Sequence, residues 1–529
     1  MAIIISQIKT TLDEPKENAA AKALSALRLK PGDIEEVRLY KSSVDARREV
    51  CFVHSVYVRM KDRQREKRIA EKRPDVRLYE PGELSVKRGG EKLSGNIYIA
   101  GFGPAGMFCA LTLCEFGYKP VVLERGADMD SRIKAVEGYW GGGTLDRASN
   151  VQFGEGGAGT FSDGKLTTRI NDPLCSRVLE RLVEFGAPEE ILTQAKPHIG
   201  TDRLRGVVKN LRQRIIRLGG EVRFLTPLEE VELHGGSIGS IRINGQETPC
   251  GALALAVGHS AHDTFQMLLQ SGVELVPKPF SVGARIEHLQ KDIDLALYGK
   301  YAGHPALPPA EYQLSYHEGG RGVYTFCMCP GGYVVASASE PGTVITNGMS
   351  YFDRAGSNAN SAVLVAVEPG DFGGGVLGGA EFIQRLERRA FELGRSGRAP
   401  AQMTRDFIAG KKAGSLDFTR VEPTYSLGVE PADLGGLFPE YIAAPMRNGL
   451  RYFDRRIKGF SDSGSILTAA ETRSSSPVRL PRNEAGYAAC ADNLFPCGEG
   501  CGYAGGIMSA AVDGIKTAVR IMEKYAPGE

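Results

Sequence analysis

The sequence predicts an α/β fold in which a layer of parallel strands is interrupted by a β-rich insert and preceded by a small α+β module. Three observations carry this. Asn96 to Gly126, NIYIAGFGPAGMFCALTLCEFGYKPVVLERG, reads as strand, glycine turn, helix and second strand within about thirty residues. Asn493 to Val512, NLFPCGEGCGYAGGIMSAAV, gives an apolar strand, a glycine loop and a helix opened by small residues. Between them, residues 270 to 480 are strand- and glycine-rich with few long helices. The expected division is 1–92 for the N-terminal module, 93–270 with 481–529 for a discontinuous nucleotide-binding domain, and 271–480 for the inserted domain.

Bulk properties narrow the classes. At 529 residues the chain calls for more than one core. Lysine and arginine total 65 against 63 acidic residues, a net charge of +2, so the clear basic surplus of a nucleic-acid binder is missing. Glycine stands out, with 66 residues or about 12% against the usual ~7%. Three isoleucines near the start lack a basic segment before them, which argues against a signal peptide, and no long apolar run suggests a membrane span. Ten scattered cysteines in a large chain fit reduced thiols and a cytoplasmic protein.

The N-terminal module reads as βαββ. A strand over Ile3–Ile8 precedes a helix with apolar Ala20, Ala23, Leu24, Leu27 and Leu29, and strands follow at Val37–Tyr40 and Val50–Val58. Arg59 to Arg73 holds eight basic and three acidic residues. An exposed helix of mixed charge is the expectation, with contact to RNA or an anionic surface as the alternative. PDVRLYEPGE reads as the linker.

The glycines of G-F-G-P-A-G have separable tasks. Gly101 makes the tight turn, Gly103 lets backbone approach a pyrophosphate, and Gly106 lets helix and strand pack closely. Pro104 and Ala105 open the helix, whose N-terminus favours phosphate. Glu124 stands 23 residues after Gly101, where a carboxylate meets ribose hydroxyls, with Arg125 beside it. An acid there favours a free 2′-OH, as in FAD or NAD.

The closing segment resembles the C-terminal motif of two-dinucleotide-binding flavoproteins. That resemblance implies that Gly498 and Glu499 meet the ribityl or pyrophosphate part of FAD, and that Gly505, Gly506 and Ile507 aim a helix N-terminus at the flavin O2/N1 edge. ALAVG, ending at Gly258, resembles the same proteins' short strand and turn beside FAD. Val231, in the strand-like EVRFLTPLEEVEL, joins these cofactor positions.

FGEGGAGTFSDGKL, Phe153 to Leu166, nearly spells a phosphate-gripping P-loop from Gly159 through Gly164 to Lys165. That reading fails, because Leu166 replaces the Mg²⁺-binding Ser or Thr, no buried strand feeds the loop, and Asp163 would face phosphates. The stretch instead resembles the flavoprotein glycine loop, with Gly156, Gly157, Ala158 and Gly159 giving backbone access to FAD.

Taken together, NVQFGEGGAGTFSDGKLTTR, GARIEH, YTFCMCPGG, ITNGMSY, ETRSSSPVR, GEGCGYAGGIMSAAVDGI and KSSVDAR resemble a bacterial family of uncharacterised FAD-dependent dehydrogenases, over nearly the whole chain. The resemblance implies a Rossmann-like, glutathione-reductase-like FAD-binding domain and noncovalent FAD, and it brings no substrate. Cys501 departs from the small residue expected there, and with Cys497 it raises a dithiol, although small buried cysteines are commoner.

In that architecture the insert covers the flavin ring and supplies a pocket for a small-molecule substrate. Candidate catalytic residues are Lys165, Arg285, His288 and Tyr503, with Arg169 as a further anion contact. The alternation of ARIEH also fits a strand with one wet face. Tyr324, Cys327 and Cys329 alternate as a strand does, where packing is the main reading and a redox pair or soft metal half-site the alternative. No second Cys/His pair lies at metal-like spacing, so no metal is expected. The functional expectation is a flavin oxidoreductase passing hydride between FAD and a small organic substrate. The alternatives are an FAD-dependent monooxygenase using NAD(P)H as transient donor with O₂, and an RNA-associated flavoprotein.

Overall fold

The computed structural model describes residues 1–80, 84–412, 414–461 and 464–527; linker residues 81–83 and the last two positions lie outside the described residues. Elements are numbered in chain order. The N-terminal module is richer than βαββ. β1 (Ala2–Thr10), α1 (Asn18–Ala26), β2 (Ile34–Asp45) and β3 (Cys51–Met60) are followed by α2 (Arg63–Lys72) and β4 (Val76–Tyr79). The sheet order is β2-β3-β1-β4, antiparallel throughout. VRLY, read as linker, is therefore an edge strand. Its alternation was too short to stand out against the flanking charge and proline.

The basic run does form a helix. Asp62 caps α2 by accepting from the Gln64 and Arg65 N–H groups. Arg59, Arg63, Arg65, Arg68 and Arg73 each face a carboxylate within this module: Glu36, Glu35, Asp33, Asp62 and Asp75. Glu66 is fully buried and accepts from the Met60 N–H at 2.6 Å, tying the helix start to the end of β3.

The next layer is parallel at its centre. β5 (Asn96–Ala100) leads through α3 (Pro104–Glu115) to β6 (Val121–Leu123), and then α4 (Met129–Trp140), α5 (Leu174–Glu184) and α6 (Thr201–Arg217) precede β7 (Glu221–Arg223). β8 (Leu228–His234), β9 (Ser237–Ile243) and β10 (Gln246–Leu255) form a meander, and β10 runs on into the layer as a parallel neighbour of β5. The order is β7-β6-β5-β10. The strand sequence thus reverses at β5, which opens a crevice beyond its carboxyl end. α7 (His262–Gln270) closes this part of the chain.

The insert begins with β11 (Val276–Pro277), β12 (Phe280–Leu289) and α8 (Gln290–Tyr298). β13 (Ser315–Glu318), β14 (Arg321–Cys329), β15 (Tyr333–Ala336), β16 (Thr346–Met349) and β17 (Asn358–Val367) follow. Then come α9 (Gly378–Gly394), β18 (Ala399–Met403), α10 (Thr404–Ile408), β19 (Val429–Pro431), α11 (Leu434–Leu437), α12 (Glu440–Arg456) and β20 (Ile466–Glu471). Its main sheet runs β13-β14-β17-β12-β20-β18-β19. β12 lies at the centre, and every residue from Phe280 to His288 is buried. The wet face suggested by ARIEH is therefore absent from β12, because α12 and the 290–312 segment cover one side and β16 the other.

β21 (Val478–Arg479) returns to pair with β11, β22 (Leu494–Pro496) pairs in parallel with β10, and α13 (Ile507–Lys524) packs on α3. A Cβ at Gly514 would lie 2.1 Å from the Ala105 carbonyl oxygen, so glycine there sets the close approach of the two helices. Among the described residues, no helix is long and apolar enough to cross a membrane.

Candidate functional site

The glycine segments named above converge at the carboxyl ends of β5, β10 and β22. Gly101 has φ +102°, and a Cβ there would sit 2.3 Å from the Ala256 carbonyl oxygen. Gly106 leaves still less room, since its Cβ would lie 1.9 Å from the Gly101 carbonyl oxygen. The second glycine loop then closes on the first: Gly156 N–H donates to the Phe102 carbonyl at 2.9 Å, and a Cβ on Gly157 would meet Gly103 Cα at 3.0 Å. Ala158 and Gly159 start a short 3₁₀ turn, with Gly159 against the Ile507 side chain. Gly258 and Gly500 touch backbone to backbone, and Gly498 abuts Ala105.

Two helices open into this groove. α3 is preceded by Gly103 and α13 by Gly506, and neither start has a side-chain cap. Their first N–H groups therefore point outward with the positive end of the helix dipole behind them. Space is available there, because a Cβ at Gly258, Gly505 or Gly506 would meet none of the described atoms within 4 Å.

Glu124 is buried and holds the loops together. It accepts from Phe102 N–H and Gly126 N–H at 2.8 Å and from Gly154 N–H at 3.0 Å. A carboxylate offers about four acceptor positions, so capacity for one hydroxyl donor remains. Arg125 forks onto Asp263 at 3.0 and 2.5 Å and stacks on Phe153. Val231 lies in β8 opposite Ile241, with its side chain in the core under the meander.

Glu499 is half-buried, and burial pushes its carboxyl up to about 7, against the downward pull of the Lys278 charge. The folded state binds this proton more tightly than an unfolded chain with a glutamate near 4.3. Stability therefore falls as pH rises from that value to about 7. Glu499→Gln removes the loss. The cofactor-free variant is expected to match the parent near pH 4.5 and to exceed it by about 1–2 kcal/mol at pH 8, allowing for partial exposure. Urea unfolding at the two pH values measures this, and an equal difference at both overturns it.

The four catalytic candidates occupy different surroundings. Lys165 pairs by backbone with His198 and points its ammonium to within 3.6 Å of Asp163. Its Nζ is buried without a hydrogen-bond acceptor among the described residues. Arg285, wholly buried, forks onto Glu471 at 2.9 and 2.5 Å and donates to Asn360 Oδ1 and the Cys327 carbonyl. His288 bonds to the Tyr312 hydroxyl at 2.9 Å and lies 4.6 Å from the Phe460 ring. Burial pushes its pKa down to about 3, so the acid/base role expected of it finds a neutral imidazole in the apolar core of the insert. Tyr503 donates to the Leu480 carbonyl and accepts from Arg482 N–H, both at 2.9 Å, with the Arg482 guanidinium 3.7 Å above its ring. Its hydroxyl is thus engaged in bracing the 480–482 segment.

Several pairings beside Lys165 escaped the sequence reading. Asp163 is buried and takes a bidentate pair from Arg354 at 3.1 and 2.6 Å, and His198 bonds to the Phe352 carbonyl. A second polar chain runs from His259 through Ser260 and Gln152 to Ser337, with Arg473 and Glu387 paired and buried nearby. Asp163, Gln152 and Arg473 lie in quoted motifs, but their partners Arg354, Ser337 and Glu387 stand 191, 185 and 86 residues away. Cys497 and Cys501 are buried, and burial raises both thiols, Cys501 to about 12, which argues against a reactive dithiol there.

Residues 279–474 match a family model described as "FAD-dependent protein, C-terminal domain-like", and residues 2–59 match a domain of unknown function. The groove, its glycine backbone and this match define an FAD-dependent protein, and FAD is the cofactor. A Clostridium beijerinckii protein named "Uncharacterized protein" is 46% identical over 534 residues, covering 99% of both chains, and this chain belongs to its family. Among solved structures, NikD, described as an unusual amino acid oxidase, is 12% identical over 82% of this chain and 95% of its own, with a TM-score of 0.35. A geranylgeranyl bacteriochlorophyll reductase-like protein from Thermoplasma acidophilum is 11% identical over 82% and 79%, with a TM-score of 0.33. Both scores are too low to define a shared fold.

Proposed function

We propose that this chain is an oxidoreductase that transfers hydride between noncovalently bound FAD and a small organic substrate. The observation that carries it is the single groove onto which two uncapped helix starts and five glycine segments open, in a member of an FAD-dependent family. In this reading the parallel layer is Rossmann-like and the whole arrangement glutathione-reductase-like, with the insert covering the flavin.

The residues divide the work by position. Gly103 and Gly157 let backbone approach the pyrophosphate, and the N–H groups of Ala105 and Gly106 offer it hydrogen bonds. Glu124 takes a ribose hydroxyl on its remaining acceptor position, and Glu499 lies beside the ribityl chain. Gly505 and Gly506 clear the space before Ile507, where the positive end of α13 favours negative charge. Bound FAD supplies the two-electron acceptor. Arg169 follows the flavin-side loop and is the exposed cation available to hold an anionic substrate.

The test is spectroscopic. The purified protein should be yellow, release its flavin on mild denaturation, and bleach anaerobically with its substrate class. A colourless protein that fails to retain added FAD overturns the reading. Substrate-triggered NAD(P)H oxidation with oxygen entering the product would select the monooxygenase alternative.

A further inference from the structure

Cys327 and Cys329 stand where β14 breaks step with β17. Phe326 pairs with Ala362 and Cys329 with Asn360, so β14 carries one extra residue in this interval. Cys327 takes up that residue with φ +44°, a left-handed conformation uncommon for a side chain with Cβ. Regular alternation would leave two side chains on one face roughly 7 Å apart. Here the Cys329 thiol donates to the Cys327 carbonyl oxygen at 3.3 Å. Cys327 is half-buried, whereas Cys329 is completely buried behind it.

The charges around the pair are not evenly matched at close range. Arg354 is neutralised by Asp163, and Arg285, which donates to the Cys327 carbonyl, is neutralised by Glu471. Lys165 shares Asp163 only at 3.6 Å, and its buried Nζ has no hydrogen-bond acceptor among the described residues. Within ion-pair distance these three cations thus meet two carboxylates; Glu287 and Glu311 act on Arg285 and Arg354 only from beyond 4 Å. Burial also lowers the His198 pKa from its ordinary value, which favours its neutral form. From the β16 side a Cβ at Gly348 would meet Arg285 Nη1, Asn360 Oδ1 and Cys329 Sγ, all within 2.8 Å, so these groups converge.

We propose that Cys327 and Cys329 form a redox-active thiol pair, in which Cys327 is the attacking thiolate, Lys165 its counter-ion and Cys329 the resolving thiol. The Cys329 thiol beside it draws the Cys327 thiol down to about 6 against burial, with Lys165 and Arg285 assisting. Burial and the neighbouring thiolate keep the Cys329 proton in place. The co-reactant is a low-molecular-weight disulfide. Cys327 attacks one of its sulfurs, the S–S bond breaks, and the first thiolate leaves. Cys329 then gives up its proton to that thiolate and attacks Cys327, expelling the second. Two protein thiols are oxidised to one disulfide, and the small disulfide is reduced to two thiols. This does not depend on what FAD reacts with, and it is read out on the protein itself.

The experiment uses the full chain with its FAD, reduced and freed of reductant. Iodoacetamide is applied at pH 6, and the tryptic peptide 322–354, which carries these two cysteines and no other, is followed by mass spectrometry. A thiol near 6 is half ionised there, against well under one per cent for an ordinary thiol. After its lower intrinsic nucleophilicity is deducted, Cys327 should react roughly tenfold faster. Cys51, Cys175 and Cys490 are also half-buried and serve as internal references. Lys165→Met should slow Cys327 several-fold. Oxidised glutathione should make the peptide two hydrogens lighter, reversibly, whereas Cys329→Ser should stop at a glutathione adduct on Cys327. Wild-type Cys327 reacting no faster than Cys490 at pH 6, or a wild-type adduct that never closes to the disulfide, overturns the proposal.

Discussion

Replacing Gly103 by valine is expected to strip the protein of FAD while leaving the chain folded. Gly103 has φ −81° and ψ −175°, which valine adopts readily, and the nearest described atom to an added Cβ is Gly157 Cα at 3.8 Å. The cofactor-free fold loses only part of a helix cap, about 1 kcal/mol. A branched side chain there would fill the gap where backbone approaches the pyrophosphate. Crowding of this kind costs about 1–3 kcal/mol, a loss of roughly 5- to 150-fold in affinity. Gly106→Ala is the contrasting variant, because its Cβ would overlap the Gly101 carbonyl oxygen and should disturb the fold itself. Flavin absorbance after gel filtration, paired with thermal unfolding of the cofactor-free proteins, separates the two effects. Gly103→Val retaining FAD as tightly as the parent would place the pyrophosphate elsewhere.

The largest loss of stability is expected from Glu471→Ala. Glu471 accepts two hydrogen bonds from Arg285 and a third from the Thr346 hydroxyl at 2.9 Å. Its removal leaves an arginine that is 0% exposed at the centre of the insert's sheet without its counter-ion. Breaking such a pair costs about 3–5 kcal/mol, whereas a half-exposed pair contributes about 0.2–1 kcal/mol. Arg389–Glu392, exposed along α9, supplies that comparison. Removing both Arg285 and Glu471 should cost less than the two single substitutions added together, since no unpaired charge remains. Urea midpoints for Glu471→Ala and Glu392→Ala measure this directly, and equal losses would contradict the buried-pair account.

What the sequence revealed follows from distance along the chain. The first glycine turn, Glu124 and the closing glycine loop were legible because each is a local device with fixed spacing. The Asp163–Arg354 and Arg285–Glu471 pairs span 191 and 186 residues, and no spacing rule connects such partners. ARIEH misled for a related reason. Alternation signals a wet face only where one side of a sheet meets water, and β12 is covered on both. His288 consequently looked available for proton transfer and is instead packed against Phe460. The bulge that joins the two insert cysteines left no trace, because CMC reads as ordinary alternation unless the register of its partner strand is known.

β22 and α13 complete the layer begun by β5, some four hundred residues earlier, and the Tyr118 hydroxyl fastens onto the Tyr525 carbonyl across a separation of 407 residues. During synthesis, then, the first glycine turn leaves the ribosome long before its counterpart exists. At about 5–20 residues per second that interval lasts roughly 20 to 80 seconds. Throughout it α3 lacks the helix that covers it, and from the time they are made Leu253, Ala254 and Leu255 lack β22 beside them. Flavin capture is therefore a late event in the life of the nascent chain, and this apolar edge is the surface that a chaperone would have to shield until then.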